Sequence, residues 1–437
     1  MSSNRSETSF PEQSTETSVS KIEKSLPVIA TKSYIPRAND LVVAIPRASE
    51  ATNLHIPSSF MQNEAVDSSL LLGHGASFTV TRQAVPEGPK TMIDRLDIGK
   101  FITLKMPYQT RRRPKYVVYK SPRIEFKASG EPATPQDRRA LESVLTEFHA
   151  LLHPPLLRHP NIIDILGVAW GSNQANPLQQ LPVLMVEYGD RGTLADVQLT
   201  GNPLSNEVKS QIALGIASGL QALHNESIVH GDLKPDNIIM CFNEEQGLIP
   251  KLGDFGFAII EATEAPTVML GGTRTWRAPE SYSRLAIPML KYTDVYSFGL
   301  VVWSIALDGR DPFSVLIPAS MHLEDRFLAL DRLKADDKVR DLSKFENWVP
   351  SWQKSKTNRS YKASTDDALA PTCTDNPSVH EFDETAKDAT CISLRHQPFF
   401  SSLEDVLNST LSLRPEKRDL SRAIDLLGQG TVADIST

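Results

Sequence analysis

The chain has only three cysteines in 437 residues. Cys241, Cys373 and Cys391 lie far apart, with no CxxC pair. That scarcity excludes a disulfide framework and a cysteine-built zinc site, and it fits a reducing compartment, cytosolic or nuclear. Basic residues are also in deficit: 46 Lys and Arg face 53 Asp and Glu, a net charge of −7, so no overall attraction for nucleic acid is expected. Long apolar runs are missing. The longest, 298–307, is broken by Ser304 and is too short to span a bilayer; it predicts a buried helix, and no membrane insertion is expected. The N-terminus lacks the apolar core of a secretory signal, and the chain shows no internal repeat. Among the first twenty residues Phe10 is the only aromatic, beside ten Ser and Thr. Such a stretch cannot bury enough apolar surface to offset its ordering entropy, so residues 1–62 read as a disordered Ser/Thr-rich tail. Only 41–45 in that tail has the composition of a short strand.

Beyond the tail, a 40% apolar content is enough for a packed core. The length suits one large two-lobed domain with tails, or two ordinary domains. Strand-like segments at 70–72, 101–104 and 116–119 are followed by a helical stretch at 138–152, whose stripe is Leu141, Val144, Leu145, Phe148 and Leu152. After Gly192 the pattern turns helical, with long helices predicted over 207–223 and 295–306. Two segments read as insertions. Residues 82–115 are interrupted by Pro86, Gly88, Pro89, Gly99, Pro107 and Pro114 and carry the basic run Arg111-Arg112-Arg113. Residues 350–392 are polar and lack apolar periodicity. The reading is therefore α+β, a small β-rich lobe (63–189) before a larger helical one (190–430), with a short tail at 431–437.

The densest chemistry lies in His230-Gly231-Asp232-Leu233-Lys234-Pro235-Asp236-Asn237. It sets a carboxylate, an ammonium and a carboxamide at i, i+2 and i+5. Asp254-Phe255-Gly256 follows, and then Ala278-Pro279-Glu280. Phosphoryl transfer needs little covalent help; it needs a hydroxyl held in line, charge to offset the moving phosphate, and hard oxygens for Mg²⁺. A turn rich in Asp and Asn that caps a helix would explain the first motif alone. It does not explain three motifs in this order.

From about residue 69 to 427 the chain resembles the eukaryotic Ser/Thr protein kinases. The resemblance implies the two-lobed kinase fold, ATP and Mg²⁺ as cofactors, and protein substrates with Ser or Thr acceptors. It assigns Asp232 as catalytic carboxylate, Lys234 beside the transferring phosphate, and Asn237 and Asp254 as metal ligands. Leu72-Gly73-His74-Gly75 resembles the start of the loop over the nucleotide phosphates, with Gly73, Gly75 and Val80 contacting nucleotide. Two departures stand out there: Phe78 occupies the family's third glycine position, and Ser77 occupies the place of an aromatic. Lys120 matches the ATP-anchoring lysine, with Glu147 as its partner and Glu142 the alternative. Glu187 and Gly189 match the hinge that binds the adenine edge, with Val186 at the back of the pocket.

In the segment Gly272-Thr273-Arg274-Thr275-Trp276-Arg277 leading to Ala278, the resemblance implies a substrate-facing ledge. Glu280 is expected to pair with Arg418, and Asp294 to brace the catalytic loop. Lys234 with Thr273 favours Ser/Thr over Tyr acceptors. Gly231 replaces the arginine that reads an activation-loop phosphate in most regulated kinases, the non-RD pattern. Activity is therefore expected not to need phosphorylation of Thr263 or Thr267. Gly253 to Phe257, Trp303 and the 308–313 segment are similar to a fungal group of such kinases. A pseudokinase scaffold is the competing reading, and retention of Lys120, Asp232, Asn237 and Asp254 argues against it. Nothing in the sequence identifies the substrate, the upstream regulator or the oligomeric state.

Overall fold

Five antiparallel strands open the structure, in the order β1-β2-β3-β5-β4. They are β1 (Leu70–His74), β2 (Phe78–Ala84), β3 (Tyr116–Pro122), β4 (Ile165–Ser172) and β5 (Gln180–Glu187). This computed structural model describes residues 70–75, 77–84, 115–172, 180–260, 267–313, 317, 320–339 and 398–432. The 1–62 tail, the strand readings at 41–45 and 101–104, and the 350–392 segment lie outside the described residues. So does most of the 82–115 segment. Its first residues are a correction: Arg82, Gln83 and Ala84 are strand, because β2 continues in register with Val118, Val117 and Tyr116 of β3.

One helix, α1 (Pro135–Leu151), packs under the sheet. Its start is encoded locally. Thr134 and Asp137 form a reciprocal capping box, and Pro135 fills the first helical position, where no N–H partner exists to lose. The stripe Leu141, Val144, Leu145 and Phe148 is buried, as the period predicts, and joins Phe78 and Val118 from the sheet in the main core.

The rest is mainly helical: α2 (Leu194–Leu199), α3 (Asn206–Asn225), α4 (Ile287–Ala306), α5 (Leu323–Ala335), α6 (Pro398–Thr410) and α7 (Leu420–Val432). α3 matches the helix expected at 207–223. α4 begins well before residue 295, because Pro288 sits in its first turn, where proline is tolerated. From Phe298 to Trp303 it is buried on every side, so it has no polar face to mark its start.

Three small antiparallel pairs complete the fold. β6 (Ile228–Val229) pairs with β9 (Ile259–Ile260), β7 (Ile238–Asn243) with β8 (Gly247–Leu252), and β10 (Thr267–Met269) with β11 (Arg284–Ala286). The α+β expectation holds. Among the described residues, no helix is long and apolar enough to cross a membrane.

Candidate active site

The catalytic-loop motif runs between β6 and β7, and α4 holds it by its backbone. The Asp294 carboxylate accepts from the N–H of His230 at 2.7 Å and of Gly231 at 2.9 Å. His224, at the end of α3, lies 3.0 Å from the same carboxylate. The His230 ring packs against Phe255 with centroids 5.2 Å apart.

So supported, the loop brings its functional side chains together. Asp232 Oδ2 accepts from Lys234 Nζ at 2.8 Å and from Asn237 Nδ2 at 3.3 Å. Asn237 Nδ2 also donates to the Asp232 carbonyl at 2.8 Å. From the ledge, the Thr273 N–H donates to Asp232 Oδ1 at 2.6 Å, and the Thr273 hydroxyl accepts from Lys234 at 2.8 Å.

Two glycines permit this close crossing. Gly231 has φ +76°, and a Cβ there would lie 2.4 Å from the Phe257 carbonyl oxygen. Gly272 has φ +104°, and its Cβ would lie 2.5 Å from the Gly231 oxygen. Asp254 also has positive φ, +59°. For a non-glycine residue that conformation costs on the order of 1–3 kcal/mol and tends to persist where function requires it.

A cleft of about 660 Å³ is lined by Gly73, Gly75, Val80, Lys120, Glu147, Glu187, Gly189, Asn237 and Asp254. Those nine predicted residues therefore share one cavity, and Asp232 and Lys234 adjoin it through Asn237. Lys120 forms an ion pair with Glu147 of α1. Glu142 pairs instead with Arg138 one turn back, at 3.1 Å. Burial would lower the Lys120 pKa, but the nearby Glu147 and Asp254 carboxylates together outweigh it and hold the ammonium above its ordinary value. Phe78 has a visible use: its ring lies 4.7 Å from the Lys120 nitrogen. Glu280 and Arg418 pair as expected, with Arg418 Nη2 3.0 Å from Glu280 Oε2 and Arg418 Nη1 also on the Tyr292 carbonyl at 2.9 Å.

At the hinge, Gly189 is required by packing, since a Cβ there would meet Ile239 Cγ2 at 2.3 Å. Its carbonyl accepts from the Gly192 N–H at 3.1 Å. The Glu187 side chain is engaged elsewhere. It accepts from Lys251 at 2.5 Å and from the Asp164 N–H at 2.7 Å, and the Glu187 N–H donates to the Asp164 carbonyl at 3.0 Å.

The sequence reading missed several residues here. Lys251 and Asp164 tether the hinge. Asp196 and Thr193 line the cleft and form the capping box of α2; the Thr-x-x-Asp spacing just after the hinge was their signal. Arg82 stacks on Tyr116 at 4.3 Å and donates to the Tyr188 hydroxyl at 3.1 Å.

The residues fit a nucleotide with Mg²⁺. A Cβ at Gly73 would meet nothing within 4 Å, so the backbone there has open space beside it into which a phosphate would fit. Asn237 uses its amide nitrogen on Asp232, which leaves its carbonyl oxygen for a cation. Among the described residues no cluster of three or more His, Cys, Asp or Glu could hold a metal by itself.

Comparison with known proteins agrees with this geometry. The protein kinase domain family matches residues 117–421, more than half of the chain. Mitogen-activated protein kinase kinase kinase 12 of Rattus norvegicus is 30% identical over 163 residues, 37% of this chain and 17% of the relative. The dlk-1 mitogen-activated protein kinase kinase kinase of Caenorhabditis elegans is 34% identical over 161 residues, 37% of this chain and 16% of the relative. Mitogen-activated protein kinase kinase kinase 13 of Bos taurus is 28% identical over 294 residues, 63% of this chain and 29% of the relative. The chain thus spans well under half the length of each. Its motifs, its cleft and the family match agree: this chain belongs to the protein kinase family.

Proposed function

We propose that this protein transfers the γ-phosphoryl group of ATP to Ser and Thr hydroxyls of protein substrates. The observation that carries the reading is the convergence of Lys234, Asn237 and the Thr273 N–H on the Asp232 carboxylate. Asp232 receives and orients the acceptor hydroxyl, and its three donors fix the direction of its carboxylate. Lys234 joins the catalytic carboxylate to the ledge and offsets charge at the transferring group. ATP supplies the phosphoryl group and Mg²⁺ the charge that offsets its oxygens, with Asn237 and Asp254 as the protein ligands of the metal. Lys120, oriented by Glu147, holds the nucleotide phosphates. Gly73 and Gly75 bring backbone amides over them, and the backbones of Glu187 and Gly189 hold the adenine edge beside Val186.

The chain follows the non-RD pattern, and Gly231 supports this physically. Its positive φ and the Phe257 carbonyl oxygen, 2.4 Å from where a Cβ would sit, leave no room for an arginine side chain. Activity independent of loop phosphorylation follows.

Phosphoamino-acid analysis of casein labelled with radioactive ATP tests the acceptor class. Phosphoserine and phosphothreonine are expected. Phosphotyrosine would overturn the acceptor assignment, and nucleotide binding without any label would favour a scaffold.

A further inference from the structure

Lys334 lies in the last turn of α5 and is 1% exposed. A lysine on a surface helix usually keeps its ammonium in water. Here Nζ donates to three backbone carbonyls: Arg274 at 3.1 Å, Thr275 at 2.8 Å and Arg277 at 2.7 Å. All three belong to the ledge that begins at Gly272. The rings of Tyr296 and Phe313 stand 6.0 and 5.9 Å from the nitrogen. The fourth carbonyl of the 274–277 stretch, that of Trp276, accepts from the Ser297 hydroxyl of α4 at 2.8 Å. Every carbonyl from 274 to 277 is therefore held by a side chain of the helical lobe. Three residues before Lys334, Asp331 accepts from the Arg274 guanidinium and from the Tyr282 hydroxyl, the latter at 2.8 Å.

An ammonium has three donors and matches three carbonyls one for one. A charge buried this deeply is costly, so simple space-filling would have favoured an apolar side chain. We propose that Lys334 is a positioning residue for the protein acceptor. By gathering three ledge carbonyls at one point it sets the course of residues 274–277, the surface on which the substrate segment beside the acceptor hydroxyl docks. This inference rests on the kinase reading above.

The groups facing Lys334 are Asp331 on its own helix, Arg274 and Arg277 of the ledge, Glu280 beyond it and Tyr296 of α4. Burial pulls the lysine down to about 7, opposed by Asp331 and assisted by the two arginines. Deprotonation leaves two donors for three carbonyls, so the ledge loosens as pH rises through neutrality.

The test is steady-state kinetics of the full chain with casein and Mg²⁺-ATP, comparing wild type with Lys334→Met. The casein KM is expected to rise about tenfold, as loss of charged hydrogen bonds implies, with the ATP KM unchanged. An unchanged casein KM overturns the proposal, as does an equal loss in every parameter, which a merely structural role would give. If the variant does not fold, the wild type decides: its casein KM rises several-fold between about pH 6 and about pH 8 while the ATP KM stays flat. A flat casein KM over that range overturns the inference. Wild type that labels no casein at any pH overturns the kinase reading itself, and this inference with it.

Discussion

Thr273 and Asp232 are bound twice. The Thr273 N–H reaches Asp232 Oδ1 at 2.6 Å, and Lys234 bridges Asp232 Oδ2 to the Thr273 hydroxyl, 2.8 Å on each side. The 230–237 loop and the 272–277 segment are thereby one hydrogen-bonded unit. Replacing Thr273 with Val keeps the backbone bond and removes the hydroxyl that Lys234 needs. The expected loss in kcat is about tenfold or more, the scale of one charged hydrogen bond, with little change in the ATP KM. Single-turnover transfer to casein measures it.

Lys120→Met leaves Glu147, itself 1% exposed, as a buried carboxylate without a counter-charge. Breaking such a pair costs about 3–5 kcal/mol, so chemical denaturation should show a large stability loss as well as loss of ATP binding. Glu142→Gln removes only the surface pair with Arg138 and should leave both nearly unchanged. Equal effects of the two variants would contradict the Lys120–Glu147 assignment.

What the sequence showed of this site depended on how local the chemistry is. Asp232, Lys234 and Asn237 fall within six residues because one loop must aim them together, so their spacing is readable. The Glu280–Arg418 pair joins residues 138 apart, and only resemblance pointed to it. Lys334 could not be found this way. On α5 it reads like a solvated lysine beside Glu324, Asp325 and Arg332, and only packing against the ledge buries it. Lys251 is similar: it looks like an ordinary strand charge until β8 brings it against the Glu187 carboxylate. α4 was seen in part, because its apolar run marks burial but not its start.

Gly231→Ala should be destabilising. Its φ of +76° and a Cβ 2.4 Å from the Phe257 oxygen require backbone movement, at a cost on the order of 1–3 kcal/mol. Thermal unfolding measures it, and casein labelling should fall as the loop shifts away from Asp294.

Thr267 lies in β10, with its hydroxyl 3.1 Å from Arg284 Nε and its carbonyl held by Arg284 Nη2 at 2.7 Å. The backbone bond survives alanine. Alanine at Thr263 and Thr267 together should leave turnover largely intact in a kinase lacking the arginine at Gly231. A collapse of activity in the double variant would contradict phosphorylation-independent activity.

Lys334 also gives a pH signature. Its pKa falls from an ordinary 10.5 to about 7 on burial, so between those values the unfolded chain binds more protons than the folded one. Stability must then rise with pH across that window and be lowest below about pH 7. Urea unfolding of wild type relative to Lys334→Met should show this gain from about pH 7 to about pH 9. A difference that is constant with pH would contradict it.

Phosphoryl transfer is proposed to centre on Asp232. Mg²⁺-dependent transfer from radiolabelled ATP to casein, for wild type and Asp232→Asn with nucleotide binding followed in parallel, tests it directly. Label is expected with wild type and almost none with Asp232→Asn, although both bind ATP. Equal label from the two proteins would contradict it.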